Sequence, residues 1–167
     1  MQRYLYLLRH AESQEKQVGQ DDHERRLTPR GMREALLMGT HLHKEKTILD
    51  EIISSTAERA KATAGLVVDG LKWDNNNITF SDELYEASER TFMHFIAGLN
   101  DAHQHIMCIG HNPVISNVAE YLTKEEIGDL LPGAFVSIKF NIASWKEIGE
   151  GNGELENHIY PEMLNNG

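Results

Sequence analysis

The chain has 167 residues, 40% of them apolar, and carries a net charge of −10 from 16 basic and 26 acidic side chains. This length fits one globular domain with its own core, read as a single unit over 1–167. The acidic balance excludes a general nucleic-acid binder, and charges break every apolar run before it reaches the length of a membrane span.

In chain order, "RYLYLLR" (3–9) is a near-continuous apolar run, as in a strand covered on both faces. The polar stretch 10–26 reads as a surface loop. Thr28 and Pro29 form an N-cap and first helical position, and apolar residues at helical spacing extend that helix over 29–46. "DEIISS" (50–55) is a short strand. Ser55 with Glu58 three residues on predicts a capping box, followed by a helix buried through Ala60, Ala64, Val67 and Val68. "NNNITF" (75–80) predicts a turn and a strand, and a helix follows from Ser88 to Leu99. "HIMCIG" (105–110) is a buried strand. Asn112 and Pro113 are expected to cap and start a fourth helix running to Tyr121. "AFVSIKF" (134–140) alternates as a strand. "SWKEI" and "ELENHIY" around the Gly-rich "GEGNG" predict a hairpin. The fold class is therefore α/β: a three-layer α/β/α sandwich, with a mostly parallel central sheet, an antiparallel edge and a C-terminal hairpin.

The single cysteine, Cys108, lies inside a strand and reads as a small core residue. One thiol makes no internal disulfide, and the N-terminus enters a strand without secretory-signal features, so a reducing cytoplasm is expected. No dedicated dimer seam is legible, so a monomer is expected. His41 and His43, two apart on a helix, diverge, and His103 and His105 lack a third ligand at a telling spacing, so no metal or other cofactor is expected. His23, His94 and His158 read as surface or interface residues.

Open α/β sheets build sites beyond the carboxyl ends of their strands. Three predicted strands end in suggestive residues. The first ends in Arg9-His10. The second leads into a helix whose first turn holds Arg59. The fourth ends in Gly110-His111, just before a helix start. Two guanidinium forks and a helix start suit an anion. A neutral imidazole is a competent nucleophile near pH 7. Together they point to phosphoryl transfer through a phosphohistidine.

These residues carry a resemblance. "LLRHAES" is similar to the RHG signature of the histidine phosphatase (phosphoglycerate mutase-like) superfamily, with Ala11 where Gly is usual. "SSTAERAKATA" resembles its segment supplying the second arginine, "LYEAS" its acidic segment and "IGHNP" its second histidine. "RRLTPRG" and the closing Trp145, Leu155, Pro161, Leu164 pattern resemble the SixA-like branch, small phosphohistidine phosphatases. The resemblance implies the phosphoglycerate mutase-like fold and no cofactor. It implies that His10 attacks phosphorus, that Arg9 and Arg59 grip the phosphate oxygens and that His111 stabilises the transferring group. Glu86 matches the acid that protonates the leaving group, Ser13 a loop contact to phosphate, and Arg25 the arginine of an "R.LT" motif. The substrate implied is phosphohistidine in a protein partner such as a histidine-containing phosphotransfer domain. The alternatives are phosphoserine, phosphothreonine or a small phosphate ester. In a different class stands a non-catalytic phosphate-binding module. Few residues separate the third strand from the third helix, so the site is expected to be shallow and open.

Overall fold

A computed structural model describes residues 1–165. Six strands form one sheet: β1 (Gln2–Arg9), β2 (Glu51–Ser55), β3 (Ile78–Ser81), β4 (His105–Gly110), β5 (Phe135–Asn141) and β6 (Gly153–Ile159). Their spatial order is β3-β2-β4-β1-β5-β6. β1 to β4 run parallel, while β5 pairs antiparallel with both β1 and β6. Helices α1 (Pro29–Lys44) and α2 (Glu58–Leu71) follow β1 and β2. A single turn, α3 (Asp82–Tyr85), follows β3, then α4 (Glu89–Ala97), α5 (Val114–Thr123) after β4, and a terminal turn α6 (Pro161–Leu164).

The apolar run of β1 is explained by two cores, one on each face of the sheet. Leu5 and Leu7 enter a core with Phe92, Ile115 and Trp145. Tyr6 and Leu8 enter the other, with Ala35, Met38, Ala64 and Val67 of α1 and α2. A central parallel strand covered on both faces has no polar face to show. Cys108 lies fully buried in the first core, and burial pushes its thiol up to about 12, so it stays an inert apolar side chain. No helix among the described residues is long and apolar enough to cross a membrane.

Three local expectations are corrected. Ser55 and Glu58 form no capping box: α2 starts at Glu58 with Ala57 as its uncapped N-cap, because the Ser55 hydroxyl is engaged elsewhere. Pro113, not Asn112, is the N-cap of α5, and the Asn112–Pro113 peptide is cis. The Asn112 amide instead donates to the Leu130 carbonyl at 3.0 Å and accepts from the Ser116 hydroxyl. The terminal hairpin pairs β6 with β5, and "SWKEI" is a 3-10 turn over Trp145–Glu147. There Ser144 and Glu147 make a capping box, which competes with strand formation.

Candidate active site

The register settles which strand ends meet. Arg9 of β1 lies opposite Gly110 of β4, and Ser54 of β2 lies opposite Ile109 of β4. The three parallel strands therefore end side by side. The backbone N–H of His10 donates to the Gly110 carbonyl at 3.1 Å, extending the ladder by one residue. His10 and His111 thus leave adjacent strands together, and their ring centroids are 5.1 Å apart.

His10 is 6% exposed. Its Nδ1 lies 2.8 Å from the Ala11 carbonyl, which can only accept, so Nδ1 carries the proton and Nε2 keeps its lone pair. Burial first, then the nearby His111 ring and the Arg59 and Arg9 charges, hold the imidazole down to about 3, against the opposing pull of that carbonyl. At neutral pH His10 is an uncharged imidazole whose Nε2 makes no hydrogen bond with any described residue. Ala11 is fully buried in the α1–α2 core, and its N–H donates to Thr63 Oγ1 at 3.0 Å. A methyl group in place of the usual hydrogen is therefore accommodated by packing.

His111 Nε2 lies 2.7 Å from the Ser55 hydroxyl. That hydroxyl already accepts from the Ala57 N–H. That oxygen keeps a second lone pair and its own proton, so it holds His111 Nε2 in either tautomer. Nδ1 is buried and has no partner. Burial, followed by the Arg59 charge, lowers His111 to about 4, so it too is neutral and carries one proton.

Arg9 donates through one terminal nitrogen to the Leu130 carbonyl at 2.7 Å. The same carbonyl accepts from Asn112, so the α5–β5 connection fixes Arg9. Burial lowers the Arg9 pKa and Asp129 opposes the shift. Arg59 is 5% exposed and forks onto Asp22, donating to its carbonyl at 2.8 Å and to Oδ2 at 3.0 Å. Asp22 Oδ2 also accepts from the Tyr85 hydroxyl at 2.7 Å. Burial raises the Asp22 carboxyl, but the Tyr85 hydrogen bond and Arg59 outweigh it and hold the group low. The Tyr85 ring meets His111 edge-on at 5.6 Å and His23 at 4.8 Å. The half-buried His23 bonds Thr56 at 2.9 Å and so belongs to this network, contrary to its reading as an ordinary surface residue.

The secondary candidates lie further out. Arg25 Nε is 3.1 Å from Asp22 Oδ1, close enough for an ion pair, yet that N–H makes no hydrogen bond. Arg25 also donates to the Gln14 carbonyl at 3.3 Å. It therefore supports Asp22. Ser13 bridges to Leu27 through the backbone, and its hydroxyl bonds no described residue. Glu86 is exposed, and its carboxylate makes no hydrogen bond or ion pair with any described residue. The histidines weighed as metal ligands are otherwise engaged: His103 Nδ1 lies 2.9 Å from Glu51 and His105 Nδ1 lies 3.3 Å from Asp50.

Sequence reasoning missed Asp22, Tyr85, Ser55 and the Leu130 carbonyl. Asp22 left a faint signal, an Asp21 that accepts from His23 N–H to start a 3-10 turn over Asp22–Glu24. The sum is a cluster of buried nitrogens without partners among the described residues. Arg9 Nε, Arg59 Nε and His111 Nδ1 are each shielded from water and each unpaired. Buried polar groups are almost always satisfied, so three unpaired nitrogens around His10 are suited to an anion.

The sequence profile of the histidine phosphatase superfamily (branch 1) matches residues 5–92. An uncharacterized protein of Mycobacterium leprae is 35% identical over 102 residues, which is 61% of this chain and 60% of that protein. The mitochondrial serine/threonine-protein phosphatase Pgam5 of Drosophila grimshawi is 33% identical over 76 residues, 46% of this chain and 26% of that protein. The chain thus spans less than two thirds of either relative. The crystal structure of the putative phosphohistidine phosphatase SixA from Agrobacterium tumefaciens superposes with a TM-score of 0.81, at 24% identity. It covers 95% of this chain and 98% of that one. That likeness is one of fold.

Proposed function

The chain belongs to the histidine phosphatase superfamily, and from that membership we propose that it is a phosphatase whose His10 carries the phosphoryl group. The observation that supports this reading best is the set of unpaired buried nitrogens around an uncharged His10. In the first half-reaction the Nε2 lone pair forms an N–P bond. The bond from phosphorus to the leaving atom breaks, its electron pair goes to the leaving group, and that group takes up a proton. In the second half-reaction water attacks phosphorus, loses a proton to solvent, and the N–P pair returns to His10. Arg9 and Arg59 neutralise the equatorial oxygens, and His111 stabilises the transferring group, in both directions. Ser13 and Arg25 act from the rim, Arg25 through Asp22.

The substrate we propose is phosphohistidine in a protein partner. The leaving imidazole needs little acid assistance, which suits a site where Glu86 is exposed and unpaired. The short connection from β3 to α4 carries no long insertion that would wall in a small molecule, which suits a protein surface, and the SixA neighbour bears the name of a phosphohistidine phosphatase. A second reading, phosphoserine, phosphothreonine or a small ester, is favoured by the Pgam5 relatives and gives Glu86 the part of leaving-group acid. A non-catalytic phosphate binder would have no use for a free nucleophilic Nε2.

Phosphate release from a histidine-phosphorylated phosphotransfer domain, measured with a chelator present, tests the proposal. Rapid release by wild type that is abolished in His10→Ala is expected. Release only from phosphoserine, phosphothreonine or small esters moves the assignment to the second reading. Release that survives His10→Ala overturns the covalent mechanism.

A further inference from the structure

Away from the phosphate site, a cavity of about 510 Å³ opens on the α1–α2 face of the sheet, where β5 and β6 extend past α1. It lies toward the opposite end of β1. Tyr6 on its floor is four residues before His10, about 13 Å along an extended strand. Two aromatic pairs wall it. Tyr4 stacks on His105 at 4.9 Å with planes 5° apart, and Tyr6 stacks on Phe135 at 5.5 Å.

Three further observations make this a built site rather than a bare sheet face. First, Tyr6 is 6% exposed and Ser137 is 4% exposed. Both line the cavity, and neither hydroxyl hydrogen-bonds a described residue. Burial pushes the Tyr6 phenol well above its ordinary range, so it stays a donor. Neither oxygen is shut off from solvent, so both are free to meet a ligand that enters the cavity. Second, the two are aligned. Tyr6 pairs with Ser137 across β1 and β5, and Ser137 pairs with Asn157 across β5 and β6, placing phenol, hydroxyl and carboxamide in one row. Third, the β5–β6 register shifts between Ser137 and Ile138. Asn157 faces Ser137 and Leu155 faces Ile138, so Glu156 is an inserted residue. This bulge brings Glu156 and Asn157 to the same cavity, where strict alternation would send one to the far face. Glu45 adds a second carboxylate against the single ammonium of Lys46.

We infer that this cavity binds a planar nitrogen heterocycle of nucleobase size, uncharged or cationic, whose adjacent N–H donors meet Glu156. The aromatic pairs supply flat apolar surface, and the hydroxyl–amide row reads the edge of the ring. The excess of carboxylates disfavours a phosphorylated form.

Guanosine presents such a donor edge and is the probe. Titrated into the full-length protein and followed by saturation-transfer NMR, it is expected to bind saturably with a Kd of about 1 mM or below. Removing a charged acceptor in Glu156→Ala weakens binding about tenfold or more. Glu156 is exposed, so this variant keeps the fold. Tyr6→Phe also weakens binding, and guanosine monophosphate binds less tightly than guanosine. Three outcomes overturn the assignment: no saturable binding at about 10 mM, guanosine affinity unchanged in Glu156→Ala, or tighter binding of the monophosphate.

Discussion

At the scale of single residues, the site is organised by who owns each proton. The Ala11 carbonyl fixes the His10 tautomer, and the Ser55 hydroxyl holds the His111 ring through Nε2. Burial keeps both rings neutral, so the positive charge of the site rests on Arg9 and Arg59. Asp22 in turn holds Arg59 through both its carbonyl and its carboxylate. Asp22→Asn keeps the carbonyl contact and the shape but removes the charge that orients the guanidinium. We predict a fall in kcat/KM of about 10- to 100-fold with the folded state retained. The measurement is steady-state kinetics beside thermal unfolding; unchanged kcat/KM would show that the ion pair is idle. That Arg9, His10, Arg59 and His111 come together was legible in the sequence, because residue type and the place where each strand ends can be read there. Asp22, Tyr85 and Ser55 were not, because an Asp in a polar loop, a Tyr in a one-turn helix and a Ser before a helix have commoner uses. Their roles arise only from contacts across 37, 63 and 56 positions of sequence.

At the scale of elements, α1 and α2 are pressed together where glycines remove the side chain. A Cβ on Gly39 would stand 2.2 Å from the Val67 carbonyl oxygen, and one on Gly70 would stand 2.5 Å from the Thr40 nitrogen. These neighbours are backbone and cannot yield without separating the helices. Gly39→Val is therefore predicted to destabilise the protein by about 2–3 kcal/mol, lowering Tm by roughly 5–10 °C. Gly65 sits in α2, and a Cβ added there would meet nothing within 4 Å. Gly65→Ala serves as the opposite case, stabilising by about 0.5–1 kcal/mol through helix propensity. Differential scanning calorimetry of the pair checks both signs; equal shifts would refute the packing account. The helix spacing of α1 and the buried stripe of α2 were readable from apolar periodicity, which records burial. Glycine spacing was not, because a glycine reads alike as a weak helix residue or as a contact. The same ambiguity explains the misplaced caps at Ser55 and Asn112. Cap residues are also the polar side chains that a site recruits, and here the site took both.

At the scale of the whole molecule, folding and the proposed catalysis share two neutral histidines. The unfolded chain titrates them near their ordinary 6.5, and the folded protein holds them to about 3 and about 4. Between those values the unfolded state binds more protons, so stability rises with pH there. The contribution is complete above pH 6.5 and is lost as pH falls toward the folded values. The lowered carboxylates, Asp22 and Asp50 among them, act in the same direction but only below about pH 4, where unfolded aspartates titrate. The window from pH 6.5 to 5 therefore belongs to the histidines, with a smaller share from His158, which burial also lowers. We predict a loss of about 2–4 kcal/mol between pH 7 and 5. It would be read as a falling urea midpoint at constant m. In His10→Ala the loss over the same interval shrinks by about half, because one of the two principal titrating groups is gone. A midpoint that is flat from pH 7 to 5 in wild type would mean that the histidines are solvated in the folded state. His10 would then be partly protonated near neutrality and a poor nucleophile, so this equilibrium measurement bears directly on the mechanism.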